Sequence, residues 1–286
     1  MNDWPPIDEP ELLRRLAASD ATFIAEVRGF FGAVGEREFT EDAYATALGY
    51  PWPRPPSSFL LDGEDVTHLD TWDPAAAAGR WPLLAFGSNG SPETLIRKFG
   101  HLPIDQRRIP VLAGDLHDFD VAAAGHPTAY GSFPATLFAS PATALRAAVL
   151  WVTPQQLTAL TWTEVSYRLG RLDAVRFEPD VAGAPGVPHV LAYASRWGLL
   201  HLDGAVAALA ALPARGRSVP AFTQEDLLGR LAREALGPGA TARDMVAAVY
   251  EGFGTAAERI APFLEANVTP FRSERWTAYP AVAPVA

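Results

Sequence analysis

The stretch from residue 83 to residue 93 constrains the fold more than any other part of this sequence. Residues 83–86 are apolar without a break, which predicts a strand covered on both faces. Gly87 and Gly90 let the backbone turn and bring its amide groups close to a ligand. Ser91 is a good N-cap, and the proline and glutamate after it suit the first turn of a helix. These residues therefore predict a buried strand, a tight loop and a helix in succession.

The loop formed by residues 87–90 allows two interpretations. Unpaired N–H groups that lead into a helix N-terminus suit a carboxylate or a phosphate. An ordinary strand-to-helix turn without a ligand has the same sequence features, because glycine and an N-cap serve both purposes. Residues elsewhere in the chain must decide between the two.

Composition excludes several classes of function. The 286 residues include no cysteine, which excludes disulfides, a thiol nucleophile and a cysteine-ligated metal. The six histidines lack the spacing of common metal motifs, so we predict no metal site and no cofactor. No apolar run approaches the ~20 residues of a membrane span. The acidic N-terminus does not resemble a secretory signal. We therefore expect a cytoplasmic protein that does not contact a membrane.

The charge of the chain is unevenly distributed. The net charge is −10, and residues 1–80 hold 15 acidic residues against 6 basic ones. Nearly all the basic residues are arginine, and Lys98 is the only lysine. Nucleic acid is therefore not an expected partner, because phosphate binding requires a basic face.

Residues 1–78 are predicted to form a helical extension with a proline-rich connector. Apolar residues recur there at helical spacing, and Gly35 is expected to end that helix. These apolar residues are Phe23, Ile24, Val27, Phe30, Phe31 and Val34. Thr40 is expected to cap a further helix that runs to Leu48. Residues 51–58 read as the stiff connector, and residues 59–80 read as irregular and acidic.

Residues 79–213 are predicted to form an α+β domain, a mixed, partly closed barrel. After the opening strand and helix, apolar runs predict five further strands, of which the last is 189–194. The others are 109–119, 129–138, 147–152 and 167–175, with a turn at 140–143. Thr153 and Gln156 form a capping box that starts a short helix through Leu160. Many short strands with few helices are typical of a largely antiparallel barrel.

Residues 214–286 are predicted to form a C-terminal helical segment. Thr223 is expected to cap a helix over 224–236, and Thr241 one over 243–253. Thr255 with Glu258 reads as another capping box. We expect these helical flanks to pack on the barrel or on a second subunit, as in a homodimer.

Glu164 is the carboxylate that stands out in this sequence. It lies between the capped helix and an apolar strand, next to Val165 and near Trp162 and Tyr167. A carboxylate positioned among apolar side chains is a candidate general base. The alternative is an exposed glutamate at a helix C-terminus, and placement alone does not exclude it.

The order of these features resembles that of the γ-glutamylcyclotransferase family. The family hallmark, an apolar strand that ends in Tyr-Gly-Ser-Asn, corresponds here to Phe86, Gly87, Ser88 and Asn89. The next landmarks correspond to residues 131–141, with a Ser-Pro turn, and to the apolar strand 147–151. A short helix, a catalytic glutamate and a nearby tyrosine follow in the family, and correspond here to residues 155–160, Glu164 and Tyr167. The resemblance covers about residues 81–196.

The resemblance implies a metal-independent lyase or acyltransferase that acts on a small γ-glutamyl amide. The substrate α-amine would attack the γ-amide carbonyl and release 5-oxoproline and a free amine. The backbone N–H groups of Gly87, Ser88 and Asn89 would hold the substrate α-carboxylate. Glu164 would take the amine proton and return it to the leaving nitrogen. Tyr167 would orient Glu164 or the substrate amide, or would serve as a core residue.

The sequence departs from the family pattern in ways that concern the substrate. Phe86 stands where the family has tyrosine, so a phenol hydroxyl is missing at the loop. The helical flanks have no counterpart in the minimal family domain. Two alternatives on the same site are a non-catalytic module that binds an amino acid or acidic peptide, and an amide hydrolase. The identity of the leaving amine is not encoded in any motif.

Overall fold

A large mixed β-sheet organises this chain, whose computed structural model describes residues 4–32 and 34–280. The sheet contains twelve strands, and a smaller three-stranded sheet accompanies it. Eight α-helices and three short 3-10 helices occur in those described ranges. The predicted α+β class is confirmed.

The elements follow one another in chain order, helices and strands each with their own numbering. The helices are α1 (Pro10–Ala17), α2 (Asp20–Gly32), α3 (Glu41–Leu48), α4 (Pro92–Phe99), α5 (Pro154–Thr163), α6 (Gln224–Leu236), α7 (Ala242–Glu251) and α8 (Phe253–Ala266). The first eight strands are β1 (Phe59–Asp62), β2 (Asp65–His68), β3 (Trp81–Ala85), β4 (Ile109–Ala123), β5 (Ala135–Val152), β6 (Tyr167–Asp173), β7 (Phe177–Pro179) and β8 (His189–Ser195). The remaining strands are β9 (Leu199–Leu202), β10 (Ala205–Val206), β11 (Ala208–Leu209), β12 (Ala214–Arg215), β13 (Ala221–Phe222), β14 (Val268–Thr269) and β15 (Trp276–Ala278).

The main sheet has the strand order β13-β11-β4-β5-β3-β8-β6-β15. Most neighbours are antiparallel, while β3 with β8 and β11 with β13 are parallel. Among the described strands its two ends do not pair with each other, so a closed barrel is not seen. Strand β3, which contains the apolar residues before the glycine loop, lies in the middle of this order between β5 and β8.

Strand β3 is covered on both faces, as its unbroken apolar run predicted. Leu84 belongs to one buried cluster, while Leu83 and Ala85 belong to another. Successive side chains of a strand point to opposite faces, so each face of the sheet carries its own core. Helix α5 packs Leu157 and Leu160 into the same cluster as Leu83.

The strands that follow are longer than the sequence indicated. The predicted strand 129–138 is wrong in its first half, because β5 begins at Ala135 and residues 127–134 form a loop. The predicted turn at 140–143 is also wrong, because β5 continues through it. Within this stretch Ala142 has a left-handed backbone conformation with a φ of 65°. Opposite it, the pairing of β4 with β5 shifts register between His117 and Phe119. Residues 189–194 are not the last strand, since β9 to β15 follow.

The N-terminal segment contributes strands as well as the three predicted helices. The Thr40 side chain caps α3 by accepting a hydrogen bond from the Ala43 N–H. Helix α2 ends at Gly32, before the predicted Gly35. Residues 59–80 are not irregular, because β1 and β2 form a hairpin and β1 pairs with β4. Backbone pairing with a buried strand supplies the order that the local sequence does not signal.

The C-terminal helices follow the capping signals with one exception. Thr223 and Thr241 each form the capping box that starts α6 and α7. The predicted box of Thr255 with Glu258 is wrong, because α8 begins at Phe253 with Gly252 as its N-cap. None of the helices in the described ranges combines the length and the hydropathy of a membrane-spanning segment. The predicted boundaries near residues 78 and 213 stay predictions.

Candidate active site

The glycine loop begins where β3 ends and leads directly into α4. Residues 88–90 form one turn of 3-10 helix, and Ser91 then precedes Pro92 at the first position of α4. Gly87 lies against Tyr50, and a Cβ built on it would come 2.8 Å from the Tyr50 hydroxyl. A side chain at residue 87 therefore has no room, which explains this glycine by close approach.

A cavity of about 490 Å³ opens at this loop. All six residues singled out from the sequence lie in its wall. They are Phe86, Gly87, Ser88, Asn89, Glu164 and Tyr167. The end of β3, the end of α5 and the start of β6 therefore bring these residues together, and the volume lies within the usual range of small-molecule sites.

Glu164 is positioned by the helix that precedes it. Thr153 and Gln156 form the predicted capping box at the start of α5, and Glu164 is the C-cap at its end. Glu164 Oε1 accepts a hydrogen bond of 3.0 Å from Asn89 Nδ2. The loop asparagine and the candidate base are thus in direct contact, and the exposed-glutamate alternative does not describe this residue, whose side chain is 13% exposed.

Lys98, which was not predicted as a site residue, contacts both Asn89 and Glu164. Its Nζ donates to Glu164 Oε1 at 2.7 Å and to Asn89 Oδ1 at 2.8 Å. The Lys98 side chain is 10% exposed, so a largely buried ion pair sits beside the loop. The available signal was that the only lysine of the chain lies near the end of the helix that the loop starts. Within the described residues, Glu164 Oε2 makes no hydrogen bond.

Two tyrosines hold the backbone of Ala135 at the edge of the cavity. The Tyr167 hydroxyl donates to the Ala135 carbonyl at 2.8 Å, and the Tyr50 hydroxyl accepts from the Ala135 N–H at 2.9 Å. Burial is the main reason that the pKa of Tyr167 lies well above its ordinary value. Because its one proton is given to Ala135, Tyr167 does not orient Glu164 by donation; it can only accept from a ligand.

Tyr50, the residue before the proline-rich connector, and Trp52 within that connector belong to the wall of the cavity. Tyr50 brings a phenol hydroxyl to Gly87, beside Phe86, where the sequence suggested that a hydroxyl was missing. Burial raises the pKa of Tyr50 to about 12, and the N–H groups of Ala135 and Ser88 act in the opposite direction. In the described structure, the N–H groups of Gly87 and Asn89 make no hydrogen bond to protein. These two donors are therefore the ones open to a ligand carboxylate.

An aromatic wall with a cationic rim faces the loop. Trp52 and Tyr130 pack edge-to-face with ring centroids 5.8 Å apart. The Arg97 guanidinium lies 5.6 Å from the Trp52 ring and 5.8 Å from the Tyr130 ring. Glu164 is the only acid among the described residues that line the cavity, and it is paired with Lys98. The site thus carries no excess negative charge, in contrast to the chain as a whole.

No protein-family model, curated protein or solved structure matches this chain.

Proposed function

We propose that this protein cyclises a γ-glutamyl amide and releases 5-oxoproline and a free amine. The observation that carries the proposal is the contact between Asn89, in the glycine loop, and Glu164, in a cavity large enough for a small amide. Loop and glutamate are the two parts that the resemblance to the γ-glutamylcyclotransferase family implies. The partly closed barrel of that family remains part of the same hypothesis.

The loop would bind the α-carboxylate of the glutamyl group. The N–H groups of Gly87 and Asn89 are unpaired in the described structure, and they precede the positive end of α4. Arg54 adds a cation behind the loop, since its Nη1 lies 3.3 Å from where a Cβ on Gly90 would be. Burial lowers the pKa of Arg54 from its ordinary value, which still leaves it protonated at neutral pH.

The glutamate would move the proton that the reaction requires. The α-ammonium of the substrate loses a proton to Glu164 Oε2, and the resulting amine attacks the γ-carbonyl carbon. A new C–N bond closes the five-membered ring, and Glu164 returns the proton to the leaving nitrogen as the amide C–N bond breaks. The ring nitrogen then holds one proton more than the lactam product, and Glu164 transfers this second proton to the released amine, which leaves as an ammonium ion. Holding the substrate in the conformation that brings its amine to the γ-carbonyl can lower the activation barrier by up to ~7–11 kcal/mol in favourable intramolecular reactions.

The ion pair favours a second candidate function. Lys98 Nζ already occupies Glu164 Oε1 with the geometry of a ligand ammonium, at 2.7 Å. A site that carries its own internal counter-ion can bind an amino acid or acidic peptide without turning it over. No residue described in this cavity favours hydrolysis over cyclisation. The two reactions are distinguished by their products, which are glutamate for hydrolysis and 5-oxoproline for cyclisation.

The test is to incubate the purified protein with a panel of γ-glutamyl amides. The panel contains γ-glutamyl amino acids, a γ-glutamyl peptide, a γ-glutamyl polyamine and ε-(γ-glutamyl)lysine, and products are identified by mass. We expect 5-oxoproline from at least one of them. We expect Glu164→Gln to lower the rate by about 100-fold or more, because a general base typically contributes 10²–10⁴-fold. Glu93→Gln, an exposed substitution on α4, is the matched control and should retain the rate.

Each other outcome has a definite meaning. Full activity of a folded Glu164→Gln variant shows that Glu164 is not the base. Release of glutamate in place of 5-oxoproline identifies a hydrolase. Saturable binding across the panel without any product identifies a binding module.

A further inference from the structure

His126 forms part of the wall of two cavities. One is the candidate active site, and the other has a volume of about 690 Å³. The second cavity lies between α8, residues 195–198 and the chain that follows β14. Its volume falls within the ~300–1,000 Å³ that small-molecule sites occupy. None of the residues with a role in the proposed reaction lines this second cavity, and His126 is the residue that the two cavities share.

The second cavity has an apolar side and a polar side. Ile260 and Leu264 from α8 and Phe271 form the apolar side, and each is buried. Arg168 and His126 stand on the polar side. A ligand that fits both sides has an apolar body and one polar group.

Two buried polar atoms in this wall lack a hydrogen-bond partner in the described part of the chain. They are Nδ1 of His126 and Nε of Arg168. The His126 side chain is only 5% exposed, and its ring stacks on Trp197 with centroids 5.3 Å apart. Buried polar atoms are almost always paired, and because both atoms are closed off from solvent, a ligand in the cavity restores their hydrogen bonds only after a small shift of the two side chains.

The polar side has two guanidinium groups paired with one carboxylate, so its charge can be balanced by one more anion. Arg168 and Arg196 share a single carboxylate, Asp20, at 3.2 and 3.0 Å. The other Nη N–H groups of Arg196 donate to the carbonyls at the end of α1, including that of Ala18 at 2.9 Å, and its Nε donates to the Tyr167 carbonyl at 3.4 Å. The Nε of Arg168 is not used in this way. Glu258 and Glu265 also border the cavity, but both are exposed to solvent, where their charges are screened.

Burial sets the charge of the histidine in this wall. It lowers the pKa of His126 to about 3, so the imidazole is neutral at physiological pH. A neutral imidazole can carry its proton on Nδ1 and donate it. Arg168 and His126 together then offer two donors and one cation.

We propose that the second cavity binds a monocarboxylate with an apolar body. Its carboxylate accepts hydrogen bonds from Arg168 Nε and His126 Nδ1, and its hydrocarbon part lies against α8. This binding site does not depend on the proposed cyclisation. Because His126 packs edge-on against Tyr167, with centroids 6.3 Å apart, an occupant would touch a side chain that also lines the candidate active site.

The experiment measures binding of decanoate to the full chain by isothermal titration calorimetry, below the concentration at which decanoate forms micelles. Decan-1-ol and decylamine have the same hydrocarbon chain with a neutral or a positive head. We expect one decanoate per chain, bound at least about tenfold more tightly than decan-1-ol, and no binding of decylamine. Absence of decanoate binding, or equal affinity for decylamine, overturns the proposal.

Two variants locate the site. Ala261→Phe places a ring in the cavity from α8, where Ala261 is a lining residue, and should abolish binding. Ala266→Phe, an exposed position on the same helix, is the matched control and should bind normally. Arg168→Gln should weaken decanoate at least about tenfold and leave decan-1-ol unchanged. Thermal unfolding verifies that each variant is folded, and undiminished decanoate binding by Ala261→Phe contradicts the proposed location.

Discussion

Among single residues, the side chains of Asn89, Lys98 and Glu164 are joined to one another by hydrogen bonds. Each of the three contacts the other two, at 2.7 to 3.0 Å. The pair of charges is largely buried, and such pairs owe much of their energy to mutual neutralisation. Removing one partner leaves the other charge without compensation in a place that water reaches poorly. This makes the coupling between Lys98 and Glu164 measurable.

A double-mutant cycle tests this coupling. We expect Lys98→Met to lower the free energy of unfolding by about 2–3 kcal/mol, because it leaves the Glu164 carboxylate unpaired. Glu164→Gln removes the same ion pair from the other side, so the double variant should lose about 1–3 kcal/mol less than the sum of the single losses. Urea unfolding at neutral pH measures all four proteins. Losses that add to within about 0.5 kcal/mol would mean that the two side chains do not interact in solution.

Between elements, the glycine loop contacts Tyr50, which lies between α3 and the proline-rich connector. Tyr50 reaches from the N-terminal segment to the Ala135 N–H, 85 residues away in sequence. Gly87 then passes the Tyr50 hydroxyl so closely that a Cβ would lie 2.8 Å from it. The next neighbour of that Cβ, the Cβ of Ala135, would be at an ordinary 3.5 Å. The oxygen atom is therefore the whole obstacle.

This geometry predicts that Tyr50→Phe partly compensates for Gly87→Ala. Gly87→Ala alone should cost about 1–3 kcal/mol, because the new methyl group displaces a hydroxyl held by a hydrogen bond. Tyr50→Phe alone should cost about 1–3 kcal/mol, because the buried Ala135 N–H loses its acceptor. The double variant should cost at least about 1 kcal/mol less than their sum. Denaturant unfolding provides the measurement, with Gly239→Ala, which meets nothing within 4 Å, as the control; strict additivity would rule out the clash.

Sequence patterns that span only a few residues predicted much of the local structure. Thr40, Thr153, Thr223 and Thr241 were each identified as caps, and each accepts the expected hydrogen bond. Capping depends on a side chain and the backbone three residues on, so the sequence contains the whole interaction. The alternation of buried clusters along β3 follows from the same kind of local rule.

The features that the sequence did not predict depend on distant partners. β5 runs through the Ser-Pro pair at 140–141 because it pairs with β4 along most of its length. Such pairing overrides a local turn signal. The ion pair of Lys98 with Glu164 joins residues 66 apart, and nothing in the sequence around either one indicates the other. The candidate site was predictable in its loop and its glutamate, but not in its internal cation or in the contribution of Tyr50.

In the molecule as a whole, the two cavities share one wall residue, His126. The N-terminal segment supplies Tyr50 and Trp52 to the first cavity, and α8 supplies one wall of the second. The segments on both sides of the predicted barrel region therefore line the two cavities as well as covering the sheet. Because His126 is buried between the two cavities, its protonation affects the stability of the fold.

His126 should make the whole protein less stable at mildly acidic pH. Burial lowers its folded-state pKa from 6.5 to about 3, so between those values the unfolded chain binds a proton that the folded chain does not. Stability therefore falls as pH decreases through 6.5, by about 2 kcal/mol between pH 7 and pH 5 from this residue alone. Urea unfolding at the two pH values measures the slope. His126→Gln should remove that part of the slope, whereas His189→Gln, at an exposed position, should retain it; an unchanged slope in His126→Gln would show that His126 takes up a proton equally in the folded and unfolded chain.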